Sequence, residues 1–182
     1  MKLEELLLQR ASRILKRWMD LIFDTYPPDA QRFLRKQKDP FANPVGSTLS
    51  REIETFYREF LGPAEPEKLA GALDAVIRIR AVQEFSPSGA VGFLFLLKKI
   101  IREETVKEAR ENRISQEELL ALESRLDNAA LAGFDVYMRL KEKVYEIRAR
   151  EARSQVSGLL RRAGLISDVP AWDSDGKKTG VT

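Results

Sequence analysis

The chain has 182 residues, of which 43% are hydrophobic and 32% charged, and its net charge is +3. These values are ordinary for one globular, helix-rich domain, and the interleaved charges argue against a nucleic-acid footprint. The chain contains no Cys and no His, which excludes thiol nucleophiles, metal sites built on thiolate or imidazole, and a His-ligated haem.

The first third of the chain has the apolar spacing of helices. From Leu3 to Leu21, apolar residues recur in steps of three and four, which predicts one helix that Pro27 and Pro28 end. A short helix is expected over residues 29–38. The stretch DPFANPVG, residues 39–46, contains two prolines, an Asn and a Gly, and we expect a structured turn there.

Two further helices are predicted between this turn and the middle of the chain. Ser47 is the expected N-cap of the first, whose apolar residues run to Phe60 before Gly62-Pro63 end it. Pro66 suits the first position of the second helix. Its apolar face carries Leu69, Leu73 and Val76.

The next helix is predicted to lie in the middle of a bundle. Ser86 is a good N-cap and Pro87 fits the first helical position. The residues from Ala90 to Leu97 are almost all apolar, so neighbouring helices should cover this helix on every side. Phe93 and Phe95 are therefore expected in the core, where they are also candidates for the lining of an apolar ligand cavity.

A long last helix is predicted from Ser115 to about Leu160. Ser115 and Glu118 form the pattern of a capping box, and Gly164 suits the C-terminal stop. Because the part from Ser115 to Arg153 alone would be roughly 60 Å long, the helix must bend, break near Gly133 or project from the body. Residues 165–182 are polar and turn-rich, and we expect a disordered tail.

Arg80 and Gln83 interrupt an apolar stripe. At 100° per residue, both lie within about 20–40° of the line through Leu73 and Val76 and should point inward. A buried guanidinium needs partners, and the expected ones are Glu84, Asn43 or carbonyl groups of residues 39–46. Two interpretations remain: a structural network that ties the turn to the core, or a polar pocket for an anionic or polar ligand.

Three other polar residues are candidates for the same ligand- or partner-binding region. Asn43 precedes Pro44, where turn formation explains it as well as ligand contact does. Ser86 and Ser88 lie at a predicted helix N-terminus, where they either cap the helix or assist anion binding. The candidate site thus consists of Arg80, Gln83, Asn43, Ser86 and Ser88. No residue pattern indicates a catalytic or metal site, and we expect neither an enzyme nor a cofactor.

The stretch LDAVIRIRAVQEFSPSGAVGFLFLLKKIIREE, residues 73–104, resembles the signature of the N-terminal domain of RsbRD-type RsbT co-antagonist proteins. The segments DPFANPVG and RWMDLIFDTYP, at 39–46 and 17–27, support the resemblance, which covers roughly residues 5–150. The motif at 79–92 is specific, because amphipathic helices do not produce Arg-Ala-Val-Gln-x-Phe-Ser-Pro-Ser by chance. Arg80 and Gln83 fall inside it.

The resemblance implies an all-helical sensory domain, globin-like but without haem. Such a domain usually precedes a STAS domain in the stressosome, which controls a general-stress sigma factor by partner switching. Only about thirty residues follow the resemblance here, whereas a STAS domain needs on the order of a hundred. We therefore expect the input module without the usual output module, and binding of the RsbT kinase is not implied.

Together these observations predict an all-α, single-domain bundle of five to six helices with a long C-terminal helix, and the resemblance implies a globin-like arrangement. Residues 1–164 form the helical domain and 165–182 the tail. The expected function is a non-enzymatic regulatory module that contacts a protein partner and forms a homodimer through its first or last helix. No run is long enough to span a bilayer, so a cytoplasmic location is expected.

Two alternative functions remain. The first is a small-molecule carrier with an apolar cavity inside the bundle. The second and weaker one is a nucleic-acid-binding regulator that uses residues 139–162, where eight basic residues outnumber three acidic ones. Because Tyr145 is the only aromatic residue in that segment, the sequence argues against nucleic acid.

Overall fold

The computed structural model describes residues 2–36, 39, 41–63 and 65–164, and every regular element in those ranges is helical. This confirms the predicted all-α class. The described residues form eight helices: α1 (Leu3–Gln9), α2 (Ala11–Asp24), α3 (Pro28–Lys36), α4 (Pro44–Leu61), α5 (Pro66–Val82), α6 (Pro87–Val91), α7 (Phe93–Arg110) and α8 (Gln116–Arg162).

The number of helices exceeds the predicted five or six because two predicted helices are each broken once. Arg10 separates α1 from α2, and Gly92 separates α6 from α7. At Gly92 a Cβ atom would lie 2.9 Å from the Ser88 carbonyl oxygen. That approach is too close for a side chain, so a glycine suits the break between the two helices.

The chain divides into two compact units after Lys141, inside α8, and each is described by itself. In the second unit the helix ends at Arg162, and Gly164 has a φ of +68°, which agrees with its predicted role as a stop. The domain boundary predicted after residue 164 remains a prediction. The tail expected over 165–182 lies outside the described residues.

Trp18 of α2 occupies the centre of the core in the first unit. It is fully buried, and its ring centroid lies 6.1 Å from that of Phe56 and 5.9 Å from that of Phe93. Its indole Nε1 donates a hydrogen bond of 2.7 Å to the Phe93 carbonyl oxygen. The indole therefore packs α2 against α4 and α7 and also ties it to the first residue of α7.

Tyr57 of α4 holds the N-terminal helix in place. Its hydroxyl donates a hydrogen bond of 2.8 Å to the carbonyl oxygen of Leu7, and both residues are buried. Burial raises the pKa of Tyr57 far above its ordinary value, because the phenolate would lie in a poorly solvated environment. The hydroxyl is therefore a neutral donor that fixes α1 against α4.

Two helix starts differ in how well the sequence predicted them. Asn43, not Ser47, caps α4, because its side-chain oxygen accepts a hydrogen bond of 2.9 Å from the Gly46 amide. The expected capping box at the start of α8 is confirmed by reciprocal bonds between Ser115 and Glu118. No helix in the described ranges is both long and apolar enough to cross a membrane.

Ion pairs on either side of α7 join it to its neighbours. On one side Glu103, Glu104 and Glu108 of α7 pair with arginines of α2 and of the α1–α2 junction. On the other side Lys98 and Arg102 of α7 pair with carboxylates of α8. We refer to these contacts as the α7 ion pairs. They are Arg10–Glu108, Arg13–Glu104, Arg17–Glu103, Lys98–Asp127 and Arg102–Glu123.

Candidate functional site

Helix α5 carries Arg80 into the interior of the first unit. Leu73, Val76, Ile77 and Arg80 are buried along one face of this helix, and Arg80 has no exposed surface. The prediction that Arg80 points inward is confirmed. The stripe places it there because steps of three and four keep residues on one face of a helix.

The hydrogen-bond partners of Arg80 differ from those predicted. Its Nη2 donates 3.0 Å bonds to the Thr25 hydroxyl oxygen and to the Gly89 carbonyl oxygen. Neither Glu84 nor Asn43 accepts a bond from the guanidinium. Thr25 lies 55 residues away at the end of α2, so packing of α2 on this region supplies the contact that the local sequence did not reveal.

Aromatic rings cover the guanidinium. The central carbon of Arg80 lies 4.0 Å from the ring centroid of Phe85 and 5.6 Å from that of Tyr26. These two rings meet edge to face, with centroids 5.0 Å apart. A cation over an aromatic face is stabilised by about 2 kcal/mol when both are desolvated. We define the Arg80 cluster as Arg80, Thr25, Tyr26, Phe85 and Gly89.

Arg80 carries a buried charge that no carboxylate neutralises among the residues that the structure describes. Its Nε and Nη1 are buried and have no hydrogen-bond acceptor within those ranges. Burial lowers the pKa of Arg80, although the neighbouring Tyr26 opposes the shift. Because an uncompensated buried charge costs several kcal/mol, the Arg80 cluster contains a local destabilisation that a stable fold does not require.

Gln83 is not part of the buried stripe, and this prediction was wrong. Helix α5 ends at Val82, Gln83 is its C-cap, and the side chain is exposed. The extrapolation at 100° per residue fails where the helix ends. Gln83 still touches the cluster, because its side-chain oxygen accepts a hydrogen bond of 2.9 Å from the Tyr26 hydroxyl.

The other polar candidate residues lie in two separate places. Asn43 is buried, but it caps α4 and donates a 3.3 Å bond to the Leu34 carbonyl oxygen, away from Arg80. Ser86 and Ser88 are exposed and lie beside the cluster. The Ser86 hydroxyl accepts a 3.1 Å bond from the Gly89 amide, as expected for the N-cap of α6. Asn43 is thus separate from the site that the other residues form.

Phe85 links the cluster to α8. Its carbonyl oxygen accepts a 2.6 Å hydrogen bond from the hydroxyl of Tyr137, which is buried in the first-unit part of α8. Its amide donates to the Arg80 carbonyl oxygen, and the preceding Glu84 has a φ of +60°. A non-glycine residue in this conformation marks a strained connection. Sequence reasoning did not select Thr25, Tyr26, Phe85 or Tyr137, although Phe85 falls inside the 79–92 motif.

A groove of about 540 Å³ opens next to this connection. Phe95 is 50% exposed there, so the prediction of a core position for Phe95 was wrong. Phe93, two residues earlier, is buried in the core as predicted. The groove is lined by Pro87, Ser88, Val91, Phe95, Asp127, Ala130, Leu131 and Phe134.

The carboxylates of α8 in this region are held by cations. Both Lys98 and Arg102 contact Glu123, and Lys98 also bonds both oxygens of Asp127 at 2.9 Å. The hydrogen bond from Arg102 is the main reason that the pKa of Glu123 is lowered. A carboxylate kept ionised in this way is a poor proton donor near neutral pH, so these groups act as structural ion pairs.

Comparison with known proteins identifies one family. The sequence model of the RsbT co-antagonist protein rsbRD N-terminal domain matches residues 12–152. That range contains the Arg80 cluster, Tyr137 and all residues that line the groove. No curated protein and no solved structure matches the chain.

Proposed function

Because this chain belongs to the RsbT co-antagonist protein rsbRD N-terminal domain family, we propose that it is a non-enzymatic input module acting through protein–protein contacts. The contact we propose first is a homodimer formed by the second-unit part of α8. The module receives a signal in its first unit and transmits it by changing how α8 pairs. Such a change is a shift between two populated arrangements.

The observation that carries this proposal is an apolar stripe on the second-unit helix. Every residue from 142 to 156 is exposed. Within and beyond that range, apolar residues follow steps of four and three, the spacing of a helix that packs along one seam. The stripe consists of Tyr145, Ala149, Ala152, Val156 and Leu159.

An isolated helix of this kind is weakly stable in water. Nucleation is unfavourable, and helices in proteins gain most of their stability from packing of an apolar face. Tyr145, Val156 and Leu159 are 62%, 54% and 63% exposed. A second copy that aligns its own stripe on this one would cover these side chains and stabilise both helices.

The oligomeric state of the full chain tests the proposal. We expect light scattering after size exclusion to give the mass of a dimer for the wild type. We expect the mass of a monomer for the variant carrying Val156→Glu and Leu159→Glu. The matched control is Ser154→Glu, an exposed position on the opposite side of the helix, which should remain dimeric. A monomeric wild type at all accessible concentrations would contradict the homodimer.

The groove supports a second candidate function, that of a small-molecule carrier. Its lining is almost entirely apolar, and Leu131 and Phe134 are 66% and 42% exposed beside it. Ligand pockets are typically concave and mostly apolar. Native mass spectrometry of the purified chain tests the carrier, which would retain the added mass of an apolar molecule that the protein-contact module does not require.

A further inference from the structure

We propose that the Arg80 cluster is a binding site for a small carboxylate, which accepts hydrogen bonds from Nε and Nη1 of Arg80 when the Phe85 ring moves off the guanidinium. This inference names a ligand for the regulatory module proposed above. Only the effect of binding on α8 rests on that proposed function. Binding itself is a property of the first unit. It can be measured whether or not the chain forms dimers.

The first argument is the uncompensated charge. Nε and Nη1 of Arg80 carry three N–H donors, and no residue in the described ranges accepts a bond from them. Arg10 and Lys98, two partly buried cations of the first unit, pair with the carboxylates of Glu108 and Asp127. Arg80 is more deeply buried than either, yet no described residue supplies the anion that its charge and donors require.

The second argument concerns the chemistry of the ligand. Two aromatic rings, of Phe85 and Tyr26, surround the guanidinium and give it a poorly hydrated environment. A carboxylate carries one charge, is planar and matches the donors of arginine. A phosphate dianion is harder to desolvate in such surroundings. The cluster therefore favours a carboxylate over a phosphate.

The third argument is that Phe85 can leave. Its ring is only half-buried, and it lies in the short connection between α5 and α6. The guanidinium that it covers also donates hydrogen bonds to Thr25 and Gly89 and lies near the Tyr26 ring. A charge-assisted hydrogen bond from the guanidinium to a carboxylate is stronger than the ring contact that it replaces.

Displacement of Phe85 has a consequence for α8. The Phe85 carbonyl oxygen is the acceptor for Tyr137, a buried residue of that helix. The proposed displacement moves the backbone of Phe85 together with its ring, so that Tyr137 loses this acceptor and the first-unit part of α8 loses a tether to α5 and α6. Binding of the carboxylate is thereby coupled to the helix through which the module is proposed to act.

Nuclear magnetic resonance of the full chain tests the binding. The Nε–H signal of Arg80 should be protected from exchange with water because the group is buried. Titration with sodium acetate should shift this signal saturably, whereas sodium chloride at equal ionic strength should not. Phe85→Leu should tighten acetate binding by about tenfold, because the competing ring contact is removed.

Thermal melts give a second readout, since a ligand that binds only the folded state raises Tm. Acetate should raise Tm of the wild type and of Arg78→Met, a control on the exposed side of α5, but not of Arg80→Met. Absence of a saturable shift in both the wild type and Phe85→Leu would overturn the site. A response to phosphate without one to acetate would overturn the carboxylate. Neither result would change the molar mass from light scattering, which is the separate test of the homodimer.

Discussion

Arg80 and Arg10 are two arginines of the same unit in opposite electrostatic situations. Arg10 bonds Glu108 and the Glu104 carbonyl oxygen, and its side chain is 25% exposed. Arg80 is completely buried and contacts a hydroxyl, a carbonyl and two rings. One is an ordinary structural ion pair. The other is a buried charge without a carboxylate partner among the described residues, and it is where we propose that a ligand binds.

Acidification should have the largest effect on the stability of the fold. It should act through the arginines that are paired with carboxylates and not through Arg80. Arginines that donate to Glu108 and Glu123 lower the pKa of both carboxyl groups in the folded state. The unfolded chain therefore binds more protons at acid pH. The stabilisation is complete above about pH 5 and is lost as the pH falls through the folded pKa values. Urea unfolding midpoints between pH 7 and pH 3 measure the loss.

A control for the acid effect removes one of these carboxylates. Glu123→Gln should flatten the dependence on pH, because one group with a lowered pKa is gone. Arg80 should make no contribution, so Arg80→Met should have the same dependence as the wild type. A variant Glu123→Gln with an unchanged slope would show that this ion pair does not stabilise the fold.

Arg10→Ala should have the next largest effect. It leaves Glu108, only 5% exposed, without its cation. Loss of one partner of a buried pair costs 3–5 kcal/mol, and partial exposure of Arg10 reduces this to about 1–3 kcal/mol. Urea unfolding measures the change. Arg32→Ala is the matched control, since its pair with Asp29 is on the surface and should contribute less than about 0.5 kcal/mol.

Thr25→Val should cost about 1 kcal/mol, because it removes one of the two acceptors of Arg80. A double-mutant cycle tests whether the Thr25 hydroxyl contributes to stability through Arg80. In an Arg80→Met background the same change should cost less, with a coupling of about 0.5–1 kcal/mol. Equal costs in both backgrounds would mean that the hydroxyl does not support the guanidinium.

Arg80→Met should have the smallest effect on stability, a change within about 1 kcal/mol of the wild type. It removes two hydrogen bonds and the ring contact, but it also removes a buried charge that no carboxylate balances. Replacement of buried ionic groups by apolar ones is often neutral or stabilising. A loss of several kcal/mol in chemical denaturation would assign Arg80 a structural role equal to that of Arg10.

Periodicity predicted the helices and the inward position of Arg80, because local spacing alone determines which face of a helix a residue occupies. The same rule failed at Gln83, one residue beyond the end of α5. It also failed at Phe95. An apolar run implies that neighbours cover it, but the groove leaves half of this ring exposed. Periodicity predicts the face of the helix on which a side chain lies. It does not predict whether a neighbouring helix extends far enough to cover that face.

The partners of Arg80 could not be predicted from the residues around it. Thr25 is 55 positions away, and Tyr137 is 52 positions from the Phe85 carbonyl that it contacts. Such contacts depend on how α2 and α8 pack against α5, which no local pattern encodes. The family resemblance drew on both residues 17–27 and residues 79–92, but it did not indicate which of their side chains meet.

Substitutions at Gly133 offer a way to change how closely α8 packs on the first unit without altering a charge. It is buried in the first unit, and a Cβ atom added there would lie 3.4 Å from methyl carbons of Ile77 and Val91 and 3.5 Å from one of Leu73. An alanine would just fill this clearance, whereas a valine or leucine would force the helix outward. Substitutions of increasing volume at this position would therefore increase, step by step, the distance between α8 and the helices that it packs against.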